Sequence, residues 1–324
     1  MASTLHLLKK GNRSALIAAI VNTVIAIIKG TAYFFTGNVA MFAETMHSLG
    51  DAANQYFVYI GSALSKRAPN DRFPGGFGRL VHLVLLGAVL IVGIMAYETI
   101  VEGYHHIMHP AESSGLSINI SILAAATLLE AFVLFKAMKE ILHDAGVKAA
   151  GFGIIPASIA NFKKGKPATR LVFMEDTVAT AGGLLAILAV LVAHYTSFEE
   201  AEGIASILIG LMMFFVVGRV FLDNARGVLG ESDDVMEQKI GAMVMKDPDV
   251  KDVGEVTVIK EGDDLHVELE IEISPEMTFA QADDIKDRIE EKIRAERGVT
   301  DVIIELDEDD GVDNWTTVSK EKER

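Results

Sequence analysis

The chain has 324 residues, half of them hydrophobic, with a mean hydropathy of +0.33 and a formal net charge of −16 at pH 7. This combination does not describe an ordinary soluble domain, and the acidity argues against a nucleic-acid partner. The absence of cysteine excludes disulfides and thiolate metal sites.

The charge is unevenly placed. Residues 1–230 hold 17 Lys and Arg against 15 Asp and Glu, whereas residues 231–324 hold 12 against 30. The expected organisation is an apolar body over 1–230, an acidic domain over 231–308 and a disordered tail over 309–324. Met1 to Arg13 carries no cleavable signal pattern.

Six segments of the body are long enough to cross a bilayer as helices of about 20 residues. They lie near Ala15–Phe35, Asn38–Ser65, Leu80–Tyr104, Leu116–Leu142, Leu171–Tyr195 and Ala201–Leu222. Only Thr36-Gly37-Asn38 joins the first two, which predicts a tight antiparallel hairpin. Basic residues mark alternate loops: Lys9, Lys10 and Arg13, then Lys66, Arg67, Arg72 and Arg79, then Lys148, Lys163, Lys164, Lys166 and Arg170. The stretches His105–Gly115 and Thr196–Gly203 have no Lys or Arg. The positive-inside rule therefore predicts a multi-pass membrane protein with both termini and the acidic domain in the cytoplasm.

Lys29 lies inside the first span and is expected to snorkel or to pair with a carboxylate such as Glu44 on the next. The second span carries Glu44, His47, Asp51 and Asn54, and spacings of three and four put Glu44, His47 and Asp51 on one helical face. Ionisable groups at membrane depth normally face a cavity or a pathway. An imidazole and a carboxylate one turn apart can share one divalent cation; the structural alternative is a polar stripe packed inside a bundle. The loop from Arg67 to Arg79 is rich in Pro and Gly and reads as an ordered turn, with no Lys-Ser/Thr to make it a phosphate loop. His105, His106 and His109 read as a solvated outer loop rather than a metal site. Glu130, deep in the fourth span, is either functional or bonded to a neighbouring helix. The basic loop from His143 to Arg170 reads as an anchor touching anionic lipid. In the fifth span, adjacent Glu175 and Asp176 cannot easily both be ionised without a cation or proton nearby.

The acidic domain reads as a helix over Val235–Met245, strands over Val253–Lys260 and Leu265–Ile273, a charged amphipathic helix over Thr278–Arg297 and a strand over Val302–Leu306. Strict alternation in the second strand points Leu265, Val267, Leu269, Ile271 and Ile273 inward. His266, Glu268, Glu270 and Glu272 then form an outward row, read as a solvated face. The fold class is a six-span helical bundle followed by an α-β-β-α-β, ferredoxin-like domain.

Lys29-Gly, Thr36-Gly-Asn-Val-Ala-Met and Glu44-Thr-Met-His-Ser-Leu-Gly-Asp51 resemble the first hairpin of the cation diffusion facilitator family. Asn54-Gln55, the Pro74-Gly-Gly-Phe77 turn, His109-Pro110 and Leu171 to Thr177 resemble its zinc transporter 9 branch. The resemblance implies a homodimeric metal/proton antiporter exporting divalent cations from the cytoplasm, here across a prokaryotic plasma membrane. It puts His47 and Asp51 on the second-span ligand pair and Asp176 on a fifth-span ligand. Val172 occupies the other fifth-span position, so Glu175 is the candidate fourth ligand, with Glu130 and Glu44 next. Phe73 and Phe77 stand where an accessory loop site would carry histidines. Gly254, Glu268, Asp283 and Glu305, with Asp307 kept, replace an imidazole-rich cytoplasmic site by an oxygen-rich one. The expected substrates are zinc, or alternatively manganese, iron(II) or cobalt, and protons, with membrane lipid as surroundings and no resident cofactor. A non-transporting membrane sensor or scaffold is the competing class. No nucleotide loop or nucleophile constellation is visible, so enzymatic activity is not expected.

Overall fold

The computed structural model describes residues 7–315 apart from Glu112, Lys166, Ser197 and Asp263. The expectations that fall on residues 1–6, Lys166 and residues 316–324 lie outside the described residues. Two compact units are present. One holds Leu8–Ser62 and Val84–Asp223; the other groups Ala63–Leu83 with the chain from Asn224 on.

The first unit is helical. Its long helices are α1 (Arg13–Thr36), α2 (Val39–Ser65), α3 (Leu80–Met108) and α4 (Leu116–Asp144), then short α5 (Ile154–Ala160), α6 (Pro167–Tyr195) and α7 (Ala201–Leu229). Five of the six long helices are apolar enough to cross a membrane; α2, at 27 residues, is long enough but more polar than the others. Large apolar side chains such as Ile17, Phe34, Leu90 and Leu128 point outward, half or more exposed. In a lipid-embedded bundle such faces meet hydrocarbon rather than water. The interior instead gathers small residues: Ala19, Ala40, Ala43, Ala96 and Ala186 are fully buried.

The α1–α2 connection follows from two residues. Gly37 ends α1 in the left-handed region at φ 69°, and its N–H donates to Tyr33 O at 2.8 Å. Asn38 caps α2, its Oδ1 accepting from Met41 N at 2.7 Å. Glycines also set the helix approach. A Cβ at Gly103 of α3 would lie 2.7 Å from Gly203 O of α7, and one at Gly203 would lie 2.6 Å from Gly103 O. The two backbones touch, as small residues permit in membrane bundles. Gly183 of α6 likewise admits the Thr127 side chain of α4, whose Oγ1 would lie 2.1 Å from a Cβ at that glycine.

The second unit contains α8 (Asp234–Val244), β1 (Val250–Glu261), β2 (Asp264–Ile273), α9 (Phe279–Arg294) and β3 (Val299–Glu308). The sheet order is β1-β2-β3, with β1 antiparallel and β3 parallel to β2. Ile240, Ile285, Ile289 and Ile293 of the helices pack on Val253, Val258, Val267, Leu269 and Ile271. Asp233 caps α8 through Met236 N, and a Thr278–Gln281 capping box opens α9. Asp247 receives Arg288 through two nitrogens at 2.6 and 3.1 Å and Lys292 at 2.7 Å. The Arg288 guanidinium foremost holds the Asp247 carboxyl down at about 2.

Two expectations for this unit are corrected. Glu272 does not face solvent with its row: it is 4% exposed, and its Oε1 accepts from Asn314 Nδ2 at 3.0 Å. Burial pushes its carboxyl up. Residues 309–315, expected to begin a disordered tail, fold back instead. The N–H groups of Asn314 and Trp315 bond the Asp252 carboxylate, and the Trp315 ring covers Gly241 and packs on the core. The segment 63–83 also belongs to this unit. Arg79 pairs with Glu261 at 3.1 Å, and Gly78 approaches Glu261 O so closely that a Cβ would sit at 2.2 Å.

Candidate functional site

Helix α2 presents the acidic and imidazole side chains in one stripe. At the stripe's outer end, Lys29 of α1 is completely buried and its Nζ lies 2.7 Å from Glu44 Oε2 and 3.4 Å from Glu130 Oε1 of α4. The expected Lys29–Glu44 pair is therefore present, and Glu130 joins it. Gly182 of α6 makes room for Glu44, whose Oε1 would sit 3.0 Å from a Cβ there. These two carboxylates, the last of the candidate ligands, are engaged with a lysine.

One turn on, the chemistry changes. His47 is 7% exposed, and its Nε2 has no hydrogen-bond partner among the described residues. Asp51 Oδ2 is its nearest carboxylate at 3.5 Å, an ion-pair distance without hydrogen-bond geometry. Asp176 of α6 lies within electrostatic reach of both His47 and Asp51, and its buried Oδ2 also has no partner among the described residues. Glu175 faces differently. It lines a cavity of about 40 Å³ with Gly50, Asp51 and Asn54 of α2 and with valines of α3 and α7. Asp51 interacts electrostatically with both Glu175 and Asp176. Adjacent residues on α6 point about 100° apart, which accounts for the two directions.

No lysine or arginine among the described residues forms an ion pair with Asp51, Glu175 or Asp176. A buried, unpartnered imidazole nitrogen and carboxylate oxygen, with the Asp51 carboxylate beside them, form a donor set suited to a first-row divalent ion. The set is open: His47, Asp51 and Asp176 are not drawn to within 4.8 Å of one another as a triad. Among the described residues the group that meets that limit is Glu140, His143 and Asp144 at the end of α4. Sequence reasoning missed this group, although its spacing of one, three and four residues is visible in the chain. Asp144 there accepts from Thr169 Oγ1 at 2.9 Å. The outer histidines separate: His105 and His109 stack at 5.0 Å, while His106 is buried with Nε2 3.2 Å from Glu199 O.

Comparison with known proteins agrees with this architecture. Residues 15–229 match the family model of the cation efflux transmembrane domain, and residues 232–309 match that of the cation efflux protein cytoplasmic domain. The mitochondrial proton-coupled zinc antiporter SLC30A9 of Mus musculus is 26% identical over 253 residues, 77% of this chain and 43% of the relative. The cation-efflux pump FieF of Cronobacter sakazakii is 22% identical over 297 residues, 91% of this chain and 92% of the relative. The magnetosome protein MamM of Paramagnetospirillum magneticum is 22% identical over 279 residues, 83% and 79% of the two chains. The chain spans less than half the length of the SLC30A9 relatives it matches. An apolar multi-pass bundle joined to a small cytoplasmic-type domain, matched by both models along nearly its whole length, places this integral membrane protein in the cation diffusion facilitator, or cation efflux, family of transporters.

Proposed function

We propose that this protein exchanges a divalent transition-metal ion, zinc first, for protons, moving the metal away from the side of the basic loops. The observation that carries the reading is the pair of buried, unpartnered ligand atoms, His47 Nε2 and Asp176 Oδ2, both within electrostatic reach of Asp51. His47, Asp51 and Asp176 are the assigned ligands, and Glu175 is the fourth through the cavity it shares with Asp51. These atoms bind metal only when deprotonated, so a proton and a metal ion compete for them. Loading from one side and release by protons from the other then requires the bundle to open alternately. In this reading α2 is the sixth span, held in the membrane by burying its polar face. The termini lie in the cytoplasm of a prokaryotic cell, and the C-terminal domain joins two copies.

The test is ion flux into proteoliposomes with an imposed pH gradient, using a panel of zinc, manganese, iron(II) and cobalt. Zinc-driven proton movement that Asp51→Ala abolishes is expected. Manganese or iron(II) carried in place of zinc changes the ion and keeps the mechanism. No metal-dependent proton movement for any ion refutes transport.

A further inference from the structure

We infer that the end of the helical bundle opposite the basic loops carries a second divalent-cation site, centred on the carboxylate of Glu202. Glu202 stands in the first turn of α7 and is only 1% exposed. Its Oε1 accepts from Asn38 Nδ2 at 2.7 Å and from Ser113 Oγ at 2.6 Å, and the Val39 N–H also reaches this carboxylate. Its Oε2 is buried and has no hydrogen-bond partner among the described residues. A carboxylate oxygen left so is unfavourable unless something fills its lone pairs.

The carboxylate lines a cavity of about 350 Å³. The other functional side chains on that wall are His194 and Glu199, with Ser113 beside them, and no Lys or Arg among the described residues lines it. The volume accommodates an ion with several waters, each of which takes about 30 Å³. His106 is near the carboxylate but is committed elsewhere: a carbonyl only accepts, so its Nε2 donates to Glu199 O at 3.2 Å.

The site is built rather than incidental. Asn38 is fully buried and held by its own cap bond to Met41 N, so Oε1 of Glu202 is pinned. Oε2 is then left as the free acceptor. Carboxylate, imidazole and water are ligands for zinc, cobalt, manganese or iron(II). His194 and Glu199 line the same cavity but are not drawn with Glu202 to within 4.8 Å of one another, so they complete the donor set through water or by closing on the ion. Ser114 N donates to Thr36 O at 2.9 Å and His106 Nε2 to Glu199 O, so the ends of α1, α3 and the approach to α7 meet around this carboxylate. Its use as a release station rests on the export reading above; the binding itself does not.

The experiment counts bound zinc on the full detergent-purified chain by equilibrium dialysis, in the native protein and in an Asp51→Ala background. Glu202→Gln keeps an acceptor for Asn38 and Ser113 and removes the anionic oxygen. It is expected to weaken one class of zinc binding by about 10- to 100-fold in both backgrounds, and His194→Ala by about 10-fold. Equal zinc binding with and without Glu202→Gln overturns the site. Where Glu202→Gln does not fold, His194→Ala and Glu199→Gln carry the test, and unchanged affinity in both overturns it. Flux in the same samples separates the two claims. Loss of binding in Glu202→Gln with no metal flux in native protein upholds the site and refutes the export reading. Unchanged binding in Glu202→Gln with flux abolished by Asp51→Ala does the reverse.

Discussion

Replacing Lys29 by methionine isolates the structural part of the membrane charge. The lysine is fully buried, 2.7 Å from Glu44 and 3.4 Å from Glu130. At an effective dielectric of about 20 these separations correspond to gross attractions of roughly 6 and 5 kcal/mol. Desolvation of three groups and repulsion between the two acids offset most of this. What remains after the cation alone is removed is a buried, uncompensated carboxylate, with a cost of about 3–5 kcal/mol. Lys29→Met should therefore lower the unfolding free energy by that amount, measured by far-UV circular dichroism during SDS titration of nonionic micelles. Adding Glu44→Leu removes the stranded charge and should recover more than half of the loss. Glu130 is less demanding, because its side chain is 21% exposed. The double variant should still bind zinc, since neither residue is an assigned primary ligand. A single variant within about 0.5 kcal/mol of the native protein, or a double variant no better than the single, refutes this account.

Three further outcomes are expected. Gly103→Ala forces a Cβ to 2.7 Å from a backbone oxygen that no rotamer can move, and should cost about 1–3 kcal/mol; Gly93→Ala, with nothing within 4 Å, should not lower the melting temperature. In the C-terminal domain, Asp247 is held at about 2 in the fold against about 3.9 unfolded. Its contribution is present above the unfolded value and lost as pH falls through the folded one, so Asp247→Asn should flatten the acid-unfolding curve of the full chain between those limits. For the proposed fourth ligand, Glu175→Gln should lower zinc flux more than Glu130→Gln; the opposite order transfers that position to α4.

What could be read from the sequence was local or complementary. The α1–α2 turn is encoded by adjacent residues, a glycine that accepts φ 69° and an asparagine that caps the next helix. The Lys29–Glu44 pair is visible because two rare opposite charges fall in neighbouring apolar spans. Strand β2 shows in its alternation, and Val267, Leu269 and Ile271 are buried as it predicts. Period-two reasoning failed at Glu272, because its cover, Asn314, arrives from 42 residues away. The same distant return hid the order of 309–315, where the acidic run masked the one informative residue, Trp315. Glu202 escaped notice for another reason: an acid in the first turn of a helix is ordinary, and only packing against Asn38 and Ser113 makes it unusual.

The membrane unit sorts its charges by whether each has a partner. Glu44 and Glu130 share the Lys29 cation, each through one oxygen, so their charge is compensated by a basic partner. His47 and Asp176 present buried atoms that nothing in the described protein fills, and Asp51, near both, forms no ion pair with a Lys or Arg among the described residues. Because a buried uncompensated carboxylate oxygen is costly, Asp176 gains from a proton or a cation, with the partly exposed Asp51 beside it. One divalent ion carries the charge of two protons, so two protons shared among Asp51, Asp176 and Glu175 balance it. Exchange of one for the other leaves the charge of the proposed site unchanged, and no compensating rearrangement of Lys29 is required. This equivalence lets the ion pair on α1 and α2 remain a fixed structural element while the ligands one turn away change occupant.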